Sequence, residues 1–527
     1  MKHLTFTKKP LVTLLALSML LTPVWSQLPS NAPNLPSLGD GADITLTAER
    51  NLGDQIAREL YRDPDYLEDP VLDEYLWRIW EPLVKGALAR GEMSPELQQR
   101  FAWKILIGRD RTVNAFALPG GYLGIHLGLI SVVSTRDELA SVMAHELSHV
   151  TQRHISRSMG AQARMTPWLM GAMLLGLLAA GKSAQGAQAM IVGGQAVAAQ
   201  SQLNFSRDME READRIGYGV MAEAGFDTQG FVSMFGKLQQ ASNLNDNGAF
   251  PYLRSHPLSS ERMADMQARQ QLQTPRASNP AQDLVQAMMS ARARALAQPG
   301  VDALRAWAKE ASDLSVDKQA PSKQAGILYG ACLSLMQLRE LSQAQALLPR
   351  LKSVVSNFEA ANRLVTLLEA ELAFKEDNVR GVLKTLQHVS DQAHSTWQRP
   401  ELIYLAQASS RLHTTSPSTE TSQLLARSIS GLQQWVLQSP QDGQAWQVLA
   451  AALAAQGRPL PSLRAEGESQ LAKMDLSAAV DRFKAAQDAS RRLGPAAADH
   501  IEASIIDARL RFAQGLLREQ LLERQGR

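Results

Sequence analysis

Strand signals end at about Pro280 in this chain of 527 residues, so whatever follows must build its core from helices alone. Downstream, Ala, Leu and Gln dominate, and the apolar segments pair up. "AGILYGACLSLMQLRE" pairs with "LSQAQALLPRLKSVVS", and "ANRLVTLLEAELAFKE" with "VRGVLKTLQHVS". Near the end, "QAWQVLAAALAAQG" runs into "SLRAEGESQLAKMDLSAAVDRFKAAQDASRRLG". Tetratricopeptide repeats put small residues where two helices touch. Gly467, Ala479, Phe483 and Ala486 fit that spacing, and Cys332, Ala344, Leu348 and Leu351 fit it more loosely. Cys332 therefore reads as a small packing residue. The expected fold class is α+β: a mainly helical domain with a small sheet over 43–280, then an all-α tetratricopeptide-like solenoid over 281–527. Such a solenoid offers a long concave surface to another polypeptide.

Upstream, the patterns mix. "TAERNLGDQIARELYRD" and "DPVLDEYLWRIWEPLVKGALARG" carry apolar residues at helical spacing. "FAWKILIG" and "TVNAFALPGGYLGIHLGLI" read as strands, interrupted by a Pro119-Gly120-Gly121 turn. A further helix starts at Arg136, where Thr135 and Glu138 have capping-box spacing.

Composition excludes some classes. Net charge is +2, and no basic patch with interleaved aromatics suggests a nucleic-acid partner. The single cysteine forbids an intrachain disulfide and a cysteine zinc cluster. Residues 1–26 have a basic head, an apolar run from Leu11 to Leu21 too short to span a bilayer, and a small residue, Ser26. They read as a cleaved signal peptide, followed by a flexible leader over 27–42. Two Gly- and Ala-rich apolar stretches, within Met165 to Ala199, also fall short of a membrane span. They read as buried helices packed through small residues, with a hairpin touching the membrane or covering the site as the rival.

The helix from Arg136 carries "MAHELSHVTQRH". His145 and His149 are four residues apart, about 400° of helix, so both rings leave one face and can reach one zinc ion. Glu146 lies about 100° round and is placed to serve a metal-bound water as general base. This is the H-E-x-x-H arrangement of zinc peptidases, set on a helix that reads as capped and amphipathic. His154 is about 140° from His149 and cannot face the same metal unless the helix breaks first. "HVTQRH" holds no glycine to turn the chain, so His154 reads as a polar-face or packing residue.

A catalytic zinc needs a third protein ligand. "NFSRDMEREADRIGYGVM" supplies carboxylates on a second helix. Glu210 and Asp214 share a face, which suits a ligand with a partner able to fix a histidine tautomer. Glu212 is the rival, pointing away towards solvent or towards Arg211 and Arg215. Spacing favours Glu210 without excluding Glu212.

Taken in order, "NAFALPGG", "HELSHVTQRH", "SRDMEREADRIG" and "RSHPL", from Asn114 to Leu258, resemble the BepA-type (YfgC-type) periplasmic metalloproteases. These belong with the HtpX, Oma and CAAX prenyl proteases among the gluzincins. The resemblance implies one zinc ion per subunit on His145, His149 and Glu210, with Glu146 as base and Asp214 behind the ligands. It places Arg207 near the metal, steadying substrate or oxyanion charge. It makes His256 an inhibitory fourth ligand, and Asn114, Ala115, Phe116, Ala117 and Leu118 an edge strand that pairs with substrate. It implies a periplasmic endopeptidase and chaperone in the quality control and assembly of outer-membrane proteins. Its clients would be unfolded or misassembled outer-membrane proteins, with the repeat domain engaging them or the barrel-assembly machinery. The rival is an assembly chaperone with a largely latent site.

Overall fold

The computed structural model describes residues 44–161, 206–243, 249–272, 279–313, 315–390, 398–493 and 500–525. The expected signal peptide and leader, and the apolar stretch over 165–199, lie outside the described residues.

Strand and helix alternate first. Helix α1 (Leu46–Arg62) precedes β1 (Tyr66–Leu67), α2 (Pro70–Ala89) and α3 (Pro95–Arg100). Then come β2 (Lys104–Gly108), β3 (Ala115–Leu118) and β4 (Tyr122–His126). The sheet order is β1-β2-β4-β3, which leaves β3 on an edge. β3 and β4 form a hairpin in which Ala115 faces Ile125 and Leu118 faces Tyr122. Its turn needs Gly120 and Gly121, because both take left-handed φ values, 74° and 86°. β2 runs parallel to β4 on the other side.

Helices α4 (Leu127–Val132), α5 (Arg136–Thr151) and α6 (His154–Ala161) follow, then α7 (Arg207–Glu223) and α8 (Gln229–Asn243). The short α9 (Tyr252–Ser255) and α10 (Ser260–Gln270) end this half. Thr135 Oγ1 accepts the Glu138 N–H at 3.1 Å and starts α5. The Glu138 carboxylate returns to the Ser134 N–H instead of completing a box with Thr135.

One expectation fails here. α5 is not amphipathic: every residue from Glu138 to Val150 is buried. Helices α2, α7 and α8 and strand β3 all pack around it, so it has no wet face. Gly217 of α7 shows how close the contact is: a Cβ there would lie 3.1 Å from the backbone of Ala144 and His145.

The remainder is helical: α11 (Pro280–Leu296), α12 (Val301–Glu310), α13 (Pro321–Gln337), α14 (Leu341–Val355), α15 (Glu359–Lys375) and α16 (Val379–Ser390). Then follow α17 (Arg399–Thr415), α18 (Thr419–Gln438), α19 (Gly443–Ala455), α20 (Pro459–Ala472), α21 (Leu476–Leu493) and α22 (His500–Gln525). The paired segments pack as expected, α13 on α14, α15 on α16, and α20 on both α19 and α21. Five of the described turns between these helices place one residue in left-handed conformation: Gln298, Arg339, Asp377, Gly457 and Met474. Cys332 is buried, its Sγ 3.6 Å from the Ala344 carbonyl oxygen, and burial pushes the thiol up to about 12. Gly467 lies so close to Phe483 that a Cβ would strike its ring.

α2 ties this helical part to the sheet-bearing half. Its N-terminal end presents Asp69, Asp73 and Glu74 to three arginines from three helices. Arg292 of α11 joins Asp69 to Glu371, Arg363 of α15 joins Glu74 to Glu401, and Arg399 of α17 joins Asp73 to Asp442. Each guanidinium therefore bridges α2 and an acid farther along the helical part. Among the described residues no helix is long and apolar enough to cross a membrane.

Candidate metal centre

α5 and α7 lie side by side, and the loop after α9 closes over them. His145, His149, Glu210 and His256 each offer one ligand atom, and these atoms all lie within 4.8 Å of one another. Nε2 of His145 and Nε2 of His149 are 3.0 Å apart. His256 Nδ1 is 3.3 Å from His145 Nε2 and 3.0 Å from Glu210 Oε1. All four side chains are buried. Three imidazoles and one carboxylate converging on a point are donors suited to a divalent transition metal, so the residues fit such an ion.

Burial would lower the basicity of His145, but Asp214 and Glu210 override it and push its pKa up to about 9. Burial, with His145 and His256 beside it, holds His149 well below the usual imidazole range. Burial would raise the Glu210 carboxyl, yet His256, His145 and His149 hold it well below the usual carboxylate range.

Residues 83–270, from within α2 to the end of α10, match the family model "Peptidase family M48". Residues 83–270 thus form an M48-like domain. Its most similar relatives have related names. A Vibrio cholerae protein, provisionally named a beta-barrel assembly-enhancing protease, is 35% identical over 333 residues, 62% of this chain and 65% of its own length. This chain thus spans just under two thirds of that relative. The beta-barrel assembly-enhancing protease of Escherichia coli K12 is 28% identical over 477 residues, 89% of this chain and 90% of that one. The mitochondrial metalloendopeptidase OMA1 of Arabidopsis thaliana is 28% identical over 246 residues, 45% of each chain. The buried His-His-Glu-His cluster gives this M48-like region the donor set of a metallopeptidase.

The M48 domain places Glu146 beside the cluster. Its Oε2 accepts the Ala117 N–H of edge strand β3 at 2.8 Å, and its Oε1 lies 3.4 Å from His256 Nε2. Asn114 precedes β3 and is buried, and its carbonyl accepts the His126 N–H. Asp214 Oδ1 sits 2.9 Å from His145 Nδ1, on the far side of that ring from the cluster.

Three positions differ from the sequence reading. Arg207 is exposed in the first turn of α7, and the guanidinium that reaches the cluster is Arg262 of α10. Sequence reasoning passed over Arg262. Its signal was a charged residue one turn before Met266, which is fully buried. Glu212 pairs with His154 and Arg157 across to α6, while Arg211 pairs with Asp208 and Glu261, and Arg215 with Asp265. Finally, α5 does break before His154. Arg153 takes the left-handed conformation, φ 53°, that glycine was expected to supply. Its guanidinium pairs with Glu49 at 2.9 Å, which holds the strained residue in place. His154 is fully buried, so it has no polar face to the solvent, and burial lowers its pKa to about 4.

Proposed function

We propose that the M48 domain is a zinc-dependent endopeptidase, with His145, His149 and Glu210 as ligands and Glu146 as general base. The observation that carries this reading is the position of Glu146. It touches both the cluster, through His256, and the edge strand, through Ala117. A bound zinc ion would polarise the scissile carbonyl and make water a nucleophile near neutral pH. The chain's own residues do the rest. β3 pairs with an extended client through its outer backbone edge. Glu146, steadied by the Ala117 N–H, takes the proton of the attacking water and passes it to the leaving amine. Asp214, 2.9 Å from His145 Nδ1, favours a hydrogen on that nitrogen and keeps Nε2 free for the metal.

His256 Nδ1 lies among the donors, which supports a fourth-ligand role that excludes water and holds the site latent. The names of the relatives support work on outer-membrane β-barrel assembly. In this reading the chain is exported to the periplasm, its clients are misassembled outer-membrane proteins, and the tetratricopeptide-like helices over 281–527 engage them or the assembly machinery.

The test is Glu146→Gln, which keeps zinc but loses cleavage of an unfolded client, whereas His145→Ala loses both. Cleavage by Glu146→Gln at the native rate would end this mechanism. The position of His256 also favours a second reading, an assembly chaperone that rarely cuts. Full complementation of a deletion strain by Glu146→Gln would make that the main role.

A further inference from the structure

His154 is the buried titratable group that the proposed mechanism leaves unused. Its Nδ1 lies 2.8 Å from Nδ1 of His149, on the side of that ring away from the cluster. Its Nε2 lies 3.1 Å from Oε2 of Glu212, and Arg157 Nη1 reaches the same oxygen at 2.9 Å. The two imidazoles meet edge to face, with centroids 4.9 Å apart.

For His154 kept neutral by full burial, the hydrogens in this chain of contacts can be assigned by elimination. A contact of 2.8 Å between two ring nitrogens needs one hydrogen between them: two lone pairs repel, and two hydrogens collide. Glu212, paired with Arg157, is an ionised carboxylate and accepts only. His154 must then carry its hydrogen on Nε2, facing Glu212. That leaves its Nδ1 bare, so the shared hydrogen belongs to Nδ1 of His149. A neutral imidazole with hydrogen on Nδ1 has its lone pair on Nε2, the atom 3.0 Å from His145 Nε2 and 3.4 Å from Glu210 Oε1.

We propose that His154, oriented by Glu212, is a positioning residue that fixes the tautomer and ring angle of His149 and so sets metal affinity. The proposal rests on reading His149 as a ligand. It gives the two ligand histidines matching support built from different groups. Behind His145 stands Asp214, gripped by Arg262; behind His149 stands His154, held by Glu212 and Arg157. An imidazole suits the second position physically. Glu146, Glu210 and Asp214 already put three carboxylates in this buried region, with Arg262 against two of them. A fourth carboxylate beside His149 would add like-charge repulsion where water does not screen it. A neutral acceptor does the orienting without that charge and moves the carboxylate out to Glu212, which is partly exposed.

The break at Arg153 makes this possible. A continued α5 would carry residue 154 about 140° away from His149. The left-handed turn at Arg153 instead starts α6 with His154 tucked behind the ring.

The test measures zinc affinity of the full chain by chelator competition, with the Co(II) absorption spectrum as a second readout. His154→Leu keeps bulk but removes the acceptor, and it should weaken zinc binding by about 10- to 100-fold and shift the Co(II) bands. His154→Asn keeps an acceptor near the Nδ1 position and should recover most of that loss. Glu212→Ala, at a partly exposed position that tolerates truncation, should weaken binding by about tenfold. His149→Ala is the control for the underlying reading and should abolish tight binding. Native affinity in His154→Leu, with binding lost in His149→Ala, overturns the positioning role and leaves the ligand assignment intact. Equal loss in His154→Asn and His154→Leu, with metal-free melting temperatures unchanged, also overturns it. Native affinity in His149→Ala instead removes the ligand assignment itself.

Discussion

Arg262 grips Asp214 at two points, Nε to Oδ2 at 2.6 Å and Nη2 to Oδ1 at 2.8 Å. Its Nη1 lies 2.7 Å from Glu210 Oε2 and donates to the Pro257 carbonyl at 2.9 Å. One guanidinium therefore spans a proposed ligand, the carboxylate behind another, and the residue after His256. Arg262→Met should leave the buried Asp214 with His145 in place of its two-point cation, destabilising the fold by about 3–5 kcal/mol and weakening zinc binding by about 10- to 100-fold. Arg262→Lys keeps the charge but loses the two-point geometry and should fall between. Thermal melts and chelator competition on the same samples check both effects.

Gly217 predicts a purely steric effect. A methyl group there would press on the backbone at Ala144 and His145, and neither backbone is free to move far. α7 must shift by a few tenths of an ångström, carrying Glu210 away from the two histidines. Gly217→Val should cost about 1–3 kcal/mol. It should also lower metal affinity more than a substitution of equal cost remote from the cluster. Equal losses of affinity in the two variants would remove the link between helix spacing and the site.

His256→Ala should open the fourth position. If His256 holds the site shut nine-tenths of the time, kcat/KM towards an unfolded client rises about tenfold. Zinc affinity should drop modestly, because three donors remain. Unchanged turnover would show that His256 does not gate the site.

Asp442 predicts a dependence on pH. It accepts from Arg399 at 2.7 and 3.1 Å, from Trp435 Nε1 at 2.8 Å and from the Ala445 N–H at 3.0 Å. Burial would raise its pKa, but Arg399 and these donors hold it below the ordinary value. A carboxyl depressed in the folded state contributes stability that is complete above the unfolded value, about 3.9, and lost as pH falls through the folded one. Asp442→Asn should therefore destabilise by about 3 kcal/mol at pH 7. The gap to the native protein should begin to close below about pH 4, as followed by urea unfolding midpoints.

The sequence was most legible where helix period alone decides direction. His145, His149, Glu210 and Asp214 face one another because residues four apart share a face on each of two helices, α5 and α7. The hairpin after Asn114 could be anticipated from the Pro-Gly-Gly turn, but the edge position came only with the family resemblance, and the hydrogen bond to Glu146 with neither. What could not be read depends on long-range partners. Arg153 enters left-handed space because Glu49, over a hundred residues upstream, pairs with it. Arg262 faces inward because Asp214 and Glu210 wait there. The burial of α5 on every side comes from elements distant in sequence, so its own pattern gave the wrong impression of a wet face.

The three acids at the N-terminal end of α2 have a consequence for engineering. Arg292, Arg363 and Arg399 stand on separate helices of the later half, yet all answer to residues 69–74. Separated from that stretch, the three arginines would keep only their acids on the later helices, Glu371, Glu401 and Asp442, and a tail without the arginines would leave Asp69, Asp73 and Glu74 bare. The exchangeable cassette is therefore discontinuous in sequence: everything after Pro280, plus six residues from the other end of the chain.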